Sequence, residues 1–160
     1  MNILVINSGS SSIKFQGIEM PSEKVICKGI VEQIGSANAR LSYNTNHINI
    51  QETGGLETHK DSLQRVVSLL LDPEKGVIKQ ISDIHMVGHR VVHGGNSFSK
   101  TTIINAEVKE KIKQYASLAP LHNPHNLQGI LLAEHLFPSV KQVAVFDTAF
   151  HQTIPLVAQK

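Results

Sequence analysis

The order of apolar patterns along this 160-residue chain limits the folds that it can adopt. Residues 3–6 are a short, wholly apolar run, which is typical of a strand buried on both faces. Residues 13–18 alternate between apolar and polar, and residues 25–34 are compatible with a third strand. Weak alternation within the polar segment 36–55 predicts a surface hairpin. The chain therefore begins with a series of strands.

A helical pattern appears only after this strand-rich part. Five apolar residues recur at the spacing of one helix face, and they predict the first helix. We expect Asp61 to cap its start, with Gln64 completing a capping box, and Pro73 to end it. The apolar residues are Leu63, Val66, Val67, Leu70 and Leu71.

Strands and helices alternate in the rest of the chain. Residues 84–92 predict a strand, and a second helix follows its predicted cap, Asn105. The pair Asn123–Pro124 predicts the cap and first residue of a third helix, and residues 143–146 form another apolar strand. A run of strands followed by this alternation predicts a mixed α/β sheet. The side chains expected to face inward are Val108, Ile112, Tyr115 and Ala116 on the second helix and Leu127, Ile130, Leu131 and Leu136 on the third.

Composition excludes several classes of partner. The formal net charge of +2 gives no strong field for nucleic acid or a membrane surface. No apolar run approaches the ~18 residues of a membrane helix, and the N-terminal run is too short for a signal peptide. Cys27 is the only cysteine, which suits a reducing compartment. We expect a soluble cytoplasmic protein with no nucleic-acid or membrane partner.

The first candidate motif is the serine-rich segment between the first two strands, residues 7–14. Successive N–H groups in a tight turn form an anion-binding concavity, to which the hydroxyls of Ser10 and Ser12 would add donors. Lys14 supplies a point charge for a phosphate, and Asn7 offers a neutral oxygen to a metal ion or its waters. The alternative is a hairpin turn with an exposed lysine.

The second candidate motif, residues 88–95, centres on Arg90. Its planar guanidinium fits a carboxylate or phosphate through paired hydrogen bonds, and Val92 on the same strand face would suit a methyl tail. The alternative is an edge-strand arginine in a salt bridge. His89 and His93 share the other face about 13 Å apart, with no glutamate between them, so a zinc site is not expected.

Two further residues are candidates for chemistry. His122 precedes the third helix, where it would donate to an anion beside outward-pointing N–H groups. Asp147 follows the last strand, and the carboxyl end of a central strand is where open α/β sheets place ligands. The alternative for Asp147 is a helix or turn cap. His125 and His135 are interpreted as ordinary helix surface or packing.

Taken together, these segments resemble the acetate kinase (acetokinase) family. The matching segments are residues 6–14, 88–95, 119–124 and 146–155, and the likeness extends over essentially the whole chain. The resemblance implies the actin-like, sugar kinase and Hsp70 (ribonuclease H-like) fold, with two related domains closing on ATP. Residues 1–150 would be the N-terminal domain carrying the acetate side of the site, and residues 151–160 would begin the connection to a C-terminal nucleotide domain.

The resemblance also implies a reaction, ATP + acetate giving ADP + acetyl phosphate, and a homodimeric full-length protein. Family members are longer, and their second half supplies the adenosine pocket, so the isolated chain is expected to be inactive. The implied roles are Mg²⁺ (or Mn²⁺) binding for Asn7; phosphate binding for Lys14, Ser10 and Ser12; carboxylate binding for Arg90; a methyl pocket for Val92 and Leu121; a catalytic acid/base for Asp147; and proximity to the transferring phosphoryl group for His122.

Elementary chemistry qualifies one of these roles and leaves two alternatives open. A free carboxylic acid has a pKa of about 4–5, so acetate is already ionised at neutral pH and needs no base. Asp147 is therefore better suited to orienting a metal ion or water. A propionate kinase shares the same motifs, and a non-catalytic binding domain of the same fold is the other alternative.

Overall fold

The structure of the protein is a computed structural model, in which residues 1–98 and 100–147 are described. Its centre is a single eight-stranded sheet with the strand order β5-β4-β3-β2-β1-β6-β8-β7. The predicted boundary at residue 150 lies outside the described residues. The strands are β1 Asn2–Ser8, β2 Ile13–Glu19, β3 Lys24–Glu32, β4 Arg40–Asn44, β5 Asn49–Thr53, β6 Ile84–Val91, β7 Thr102–Ile103 and β8 Lys141–Phe146; the helices are α1 His59–Leu71, α2 Ala106–Gln114 and α3 Asn123–Leu136.

The sheet is mixed, as the sequence predicts. β1 to β5 form an antiparallel meander, which includes the predicted hairpin within residues 36–55. β6 pairs in parallel with β1 and with β8, while the short strand β7, which the sequence did not predict, adds antiparallel to β8. The carboxyl ends of β1, β6 and β8 therefore meet at one edge of the sheet.

The described helices pack on one face of this sheet. Leu4 and Ile6 of β1 point into that layer and are almost fully buried, and Ala133 of α3 belongs to the same cluster. Ile3 and Val5 alternate with them and are only half-buried, so the prediction that both faces of β1 are buried is wrong for the described chain. The face that carries Ile3 and Val5, here called the open face, has no described helix upon it.

The first helix begins earlier than predicted. Thr58, not Asp61, is its N-cap: the Thr58 hydroxyl accepts from the Asp61 N–H at 3.0 Å. The Asp61 carboxylate accepts in return from the Thr58 N–H at 3.0 Å, completing the box. The sequence prediction placed the box one turn too late because Asp is itself a frequent cap. The end is as predicted, since Leu71 is the last helical residue before Pro73.

The second helix starts as predicted and ends slightly sooner. The Asn105 side chain accepts from the Val108 N–H at 2.9 Å, which confirms the cap. Val108 and Ile112 are buried, as expected. Tyr115 and Ala116 lie beyond the helix in a 3-10 turn and are only half-buried.

The third helix buries the predicted apolar side only in part: Leu127 and Leu136 are half-buried and pack against the core. His122 occupies the N-cap position without a side-chain cap bond, so Asn123 is the first helical residue and not the cap. Leu131 is 49% exposed, in contrast to its predicted burial, whereas Ile130 is buried as expected. The buried side is partly polar or small, which the apolar spacing does not reveal: Asn123, Asn126, Gly129, Ile130 and Ala133. Among the described helices, none has the length and apolar character that crossing a bilayer requires.

Candidate functional site

Three of the predicted site residues share the open face at one edge of the sheet. Asn7 lies opposite Lys14 in the antiparallel β1–β2 pair. Val5 lies beside Gly88 in the parallel β1–β6 pair, so Asn7 and Arg90, each two residues further on, point to the same face. The strand register therefore places an amide, an ammonium and a guanidinium in neighbouring positions across β2, β1 and β6.

The turn between β1 and β2, residues 8–12, is here called the serine turn. The Gly9 N–H donates to the Ser12 carbonyl at 2.8 Å, which closes the turn. The imidazole Nε2 of buried His59, in the first turn of α1, lies 2.7 Å from the Gly9 carbonyl oxygen. Ser10 is exposed and Ser12 is half-buried. The turn is thus fixed from the helix side, and the Ser10 side chain faces solvent.

Arg90 and Asp147 form a direct ion pair on the open face. The Nε of Arg90 donates to both carboxylate oxygens, at 2.9 Å and 3.1 Å, and Nη2 donates to Oδ2 at 2.6 Å. Their side chains are 53% and 34% exposed. This hydrogen-bonded carboxylate raises the pKa of Arg90 above its usual value. The alternative interpretation, an edge-strand arginine in a salt bridge, is correct about the salt bridge. It is wrong about the strand, because β6 lies inside the sheet between β1 and β8.

Two asparagines of α3 hold the chain segments that leave β1 and β6. The Asn126 side chain donates to the Ser8 carbonyl at 2.8 Å and accepts from the Val92 N–H at 3.1 Å. The Asn123 side chain accepts from the His93 N–H at 3.1 Å and donates to the His93 carbonyl at 2.9 Å. The sequence analysis missed this role for both residues. The available signal was two asparagines three positions apart, the spacing of one helix face.

A glycine lets α3 approach the serine turn closely. A Cβ atom built on Gly129 would lie 2.6 Å from the Cβ of Ser8, far inside a normal contact. Ser8 itself is 3% exposed, and its hydroxyl has no hydrogen-bond partner among the described residues. The end of β1 and the helix are therefore in direct contact at this point.

The buried histidine of the second motif lies on the helix side of the sheet. His89 is 2% exposed, and its Nε2 is hydrogen-bonded to the Gln142 side-chain oxygen. Burial lowers the pKa of His89 to about 4, which keeps the ring neutral at physiological pH. Within residues 1–98 and 100–147, no group of three His, Cys, Asp or Glu side chains is suited to hold a metal ion.

The remaining predicted residues are not joined to Arg90 by a hydrogen bond among the described residues. Val92 is half-buried just past β6, with its N–H bound to Asn126. Leu121 is 74% exposed in the segment that precedes α3, and His122 beside it is also exposed. Of the nine predicted site residues, the structure joins Arg90 to Asp147 by hydrogen bonds and Asn7 to Lys14 by strand register.

Comparison with known proteins identifies the family. The acetokinase family profile matches residues 2–160. The acetate kinase of Flavobacterium johnsoniae is 57% identical over 160 residues, which are 100% of this chain and 41% of that protein. The acetate kinase of Thermotoga maritima is 51% identical over 158 residues, covering 97% of this chain and 38% of that protein.

Solved structures agree with the sequence matches. Porphyromonas gingivalis acetate kinase superimposes with a TM-score of 0.91 and 41% identity, over 96% of this chain and 39% of that one. A propionate kinase from Francisella tularensis gives a TM-score of 0.88 and 40% identity, over 96% and 38% of the two chains. The expected α/β fold of the actin-like, sugar kinase class is thereby confirmed.

These relatives are considerably longer. The chain spans about two fifths of the length of the curated relatives that it matches, at 41% and 38% for the two named above. The match begins near the first residue of this chain and extends to its last. On this agreement of sequence and structure, the chain belongs to the acetokinase family.

Proposed function

We propose that this chain is the carboxylate-binding half of an ATP-dependent acetate kinase. The observation that carries the proposal is Arg90, whose guanidinium lies on the open face at the carboxyl ends of the parallel strands. Open α/β sheets bind ligands at such an edge. The family membership and the acetate kinase names of its relatives support the assignment of the reaction.

The substrate carboxylate would bind the outer edge of the Arg90 guanidinium. Asp147 uses Nε and one hydrogen of Nη2, and no described residue hydrogen-bonds to Nη1. Nη1 and the second Nη2 hydrogen can therefore take a carboxylate in paired geometry. Val92, half-buried past the end of β6, and exposed Leu121 would then form the wall against the methyl group.

The serine turn and Lys14 would take the phosphate side. Lys14 is exposed opposite Asn7, so its ammonium has room to reach a phosphate over the open face. The hydroxyls of Ser10 and Ser12 would add hydrogen bonds, and His122 would donate to the transferring phosphoryl group. Phosphoryl transfer depends mainly on alignment and on neutralised charge, which these residues would supply.

A divalent cation is compatible with this residue set. Mg²⁺ usually keeps several waters and takes only one or two protein oxygens beside the substrate phosphates. Half-buried Asn7 at the end of β1 offers one neutral amide oxygen in the appropriate place. Mg²⁺, or Mn²⁺ in its place, would neutralise charge on the nucleotide phosphates when bound.

In the reaction, one oxygen of acetate would attack the γ-phosphorus of ATP as the bond to the ADP oxygen breaks. No proton need leave acetate, because its carboxyl group is already ionised at neutral pH. Asp147 would therefore not act as a base. Because its carboxylate accepts from Arg90, we assign it the orienting of that guanidinium in place of the metal ion or water expected from the sequence. We include in the proposal a cytoplasmic location and a homodimeric full-length protein.

Propionate is the second candidate substrate. The propionate kinase from Francisella tularensis matches this chain nearly as well as the Porphyromonas gingivalis acetate kinase, with 40% against 41% identity. The difference between the two acids is one methylene, for which an apolar pocket discriminates by about 1–3 kcal/mol. Val92 and Leu121 are the residues that would decide it.

A fusion experiment tests the proposed function. This chain would be joined to the part of the Flavobacterium johnsoniae acetate kinase that lies beyond the matched region. We expect acetyl phosphate formation from ATP and acetate by the fusion, and none by the chain alone, since catalysis requires both halves to enclose the phosphates. The fusion carrying Arg90→Ala is the control. A fusion that binds ATP but turns over neither acetate nor propionate would instead identify a non-catalytic binding domain.

A further inference from the structure

One carboxamide connects the two chain segments that would bind the two ends of the substrate. Asn126 donates to the Ser8 carbonyl, 118 residues away in sequence, and accepts from the Val92 N–H, 34 residues away. Ser8 opens the serine turn, and Val92 follows the strand that carries Arg90. Asn126 is 4% exposed; its bond to the Ser8 carbonyl is buried and its bond from the Val92 N–H is part-buried.

We propose that Asn126 is a positioning residue that fixes the separation between the serine turn and the Arg90 strand end. The proposal rests on the proposed function, in which these two segments bind the phosphate and the carboxylate. Asn126 acts through backbone groups and would not itself touch the substrate.

The chemistry of the contact requires an asparagine. The side chain must offer a donor to a carbonyl and an acceptor to an N–H at the same time, which a carboxamide does. Aspartate keeps the acceptor but places a second oxygen against the Ser8 carbonyl. A buried polar group left without a partner costs about 1–3 kcal/mol. An aliphatic side chain would leave both backbone groups in that state.

The helix that carries Asn126 is itself held against both segments. Asn123, one turn earlier, binds the N–H and the carbonyl of His93, and its amide also donates to the Ile112 carbonyl at 3.2 Å. Gly129, three residues after Asn126, lies directly against Ser8. The N-terminal half of α3 is thus bound to both segments through several contacts.

Fixed spacing has a measurable consequence for ligands. Acetyl phosphate carries an acetyl group and a phosphate in one molecule, whereas acetate and inorganic phosphate each carry one. When two subsites are held at the correct separation, the linked ligand gains affinity over the separate pieces through effective concentration. If the separation varies, this advantage decreases while each piece still binds.

The test is an NMR titration of the 160-residue chain with acetyl phosphate, acetate and inorganic phosphate. The variant is Asn126→Asp, and the matched control is Tyr43→Phe, which removes one part-buried side-chain to backbone bond, to the Lys75 carbonyl. We expect Asn126→Asp to reduce the acetyl phosphate affinity by about tenfold, while the affinities for inorganic phosphate and acetate change less than twofold. Tyr43→Phe should leave all three affinities in place.

Amide hydrogen exchange provides a second readout that does not depend on any ligand. In Asn126→Asp, repulsion between the new carboxylate and the Ser8 carbonyl should displace the side chain and the start of the serine turn. The protection of the Val92 N–H and of the Gly9 N–H should therefore fall together, and protonation of the carboxyl group at lower pH should restore it by returning a donor. Protection unchanged in Asn126→Asp, or an equal loss in Tyr43→Phe, would overturn the inference. So would a uniform loss of affinity for all three ligands. If the unaltered chain binds none of them, the exchange data decide the positioning role, whereas the proposed function is decided separately by the fusion assay.

Discussion

Asp147 binds Arg90 through one edge of the guanidinium only, that of Nε and Nη2. The outer edge thereby keeps a fixed direction and stays available to a second anion. An arginine without this partner would sample many rotamers, and ordering it on ligand binding would cost about 1–2 kcal/mol of side-chain entropy. The ion pair would therefore preorganise Arg90 for the substrate carboxylate in the function that we propose.

Asp147→Asn separates the orienting role from a base role. Asparagine keeps one acceptor for Arg90 but loses the charge, so Arg90 should be held less precisely. In the fusion enzyme we expect kcat/KM for acetate to fall by about 10²-fold, the usual cost of a small misplacement. The pH profile between pH 6 and 8 should keep its shape. Disappearance of an acidic limb from that profile would identify Asp147 as a base instead.

Arg90→Ala should reduce acetate binding and turnover together in the fusion enzyme, and Arg90→Lys should restore them only partly. Lysine retains the charge but not the planar pair of donors. The melting temperature of either variant should change little, because a partly exposed ion pair contributes only about 0–1 kcal/mol. Steady-state kinetics with varied acetate measures the effect. An unchanged kcat/KM would mean that the substrate is anchored elsewhere.

Val92→Ala should shift the preference of the fusion enzyme from acetate toward propionate. In the proposed site the valine methyl groups lie beside the methyl group of acetate, and their removal would open roughly the space of one methylene. The ratio of the two kcat/KM values should change by about tenfold or somewhat more. Affinity for ATP should stay the same. A lowered melting temperature with an unchanged ratio would show that Val92 only packs.

His89 makes the stability of the chain dependent on pH. Its pKa is about 4 when folded, below the usual 6.5, because burial disfavours the charged ring. Below pH 6.5 the unfolded chain binds the proton first, so the stabilisation present above that pH is lost as pH falls toward 4. Between these pH values the free energy of unfolding should fall by an amount that approaches about 1.4 kcal/mol per pH unit. The free energy of unfolding, measured with urea at several pH values, should depend less steeply on pH in His89→Gln than in the exposed control His47→Gln.

Gly129→Ala should destabilise the chain by about 1–3 kcal/mol, the usual cost of overpacking. The new methyl group would meet Ser8 at 2.6 Å, which forces α3 away from the serine turn. Alanine is otherwise the better helix former, by about 1 kcal/mol, so a rise in melting temperature would contradict the close contact. Gln128→Ala, on the exposed neighbour, is the matched control.

The sequence predicts the sheet better than the helix that supports the site. The strand that carries Arg90 and the cap at Asn105 both follow from local patterns, and both are present. The inner side of α3 is predicted only in part: Ile130 is buried as expected, but the buried side also includes Asn123 and Asn126, which a count of apolar residues treats as surface. Their partners lie 30 and 118 residues away, so no local window contains the interaction.

The pairing of Arg90 with Asp147 could not be predicted from the sequence for the same reason. Arg90 and Asp147 were each singled out from the sequence, but as separate candidates for different tasks. Only the parallel register, in which Arg90 lies beside Val145, brings Asp147 within reach of the guanidinium. Sequence analysis thus identified which residues carry charge at the sheet edge, while their pairing depends on how β6 aligns with β8.

Among the described residues the helices cover one face of the sheet and the proposed site lies on the other, so folding and ligand binding involve different residues. Residues beneath the helices, such as Leu4 and Ile6, determine whether the chain folds. Asn7, Lys14 and Arg90, on the opposite face, can vary without disturbing that packing. A family built on this plan can acquire new substrates through changes on one surface, and tolerance to heat through changes on the other, with little conflict between the two.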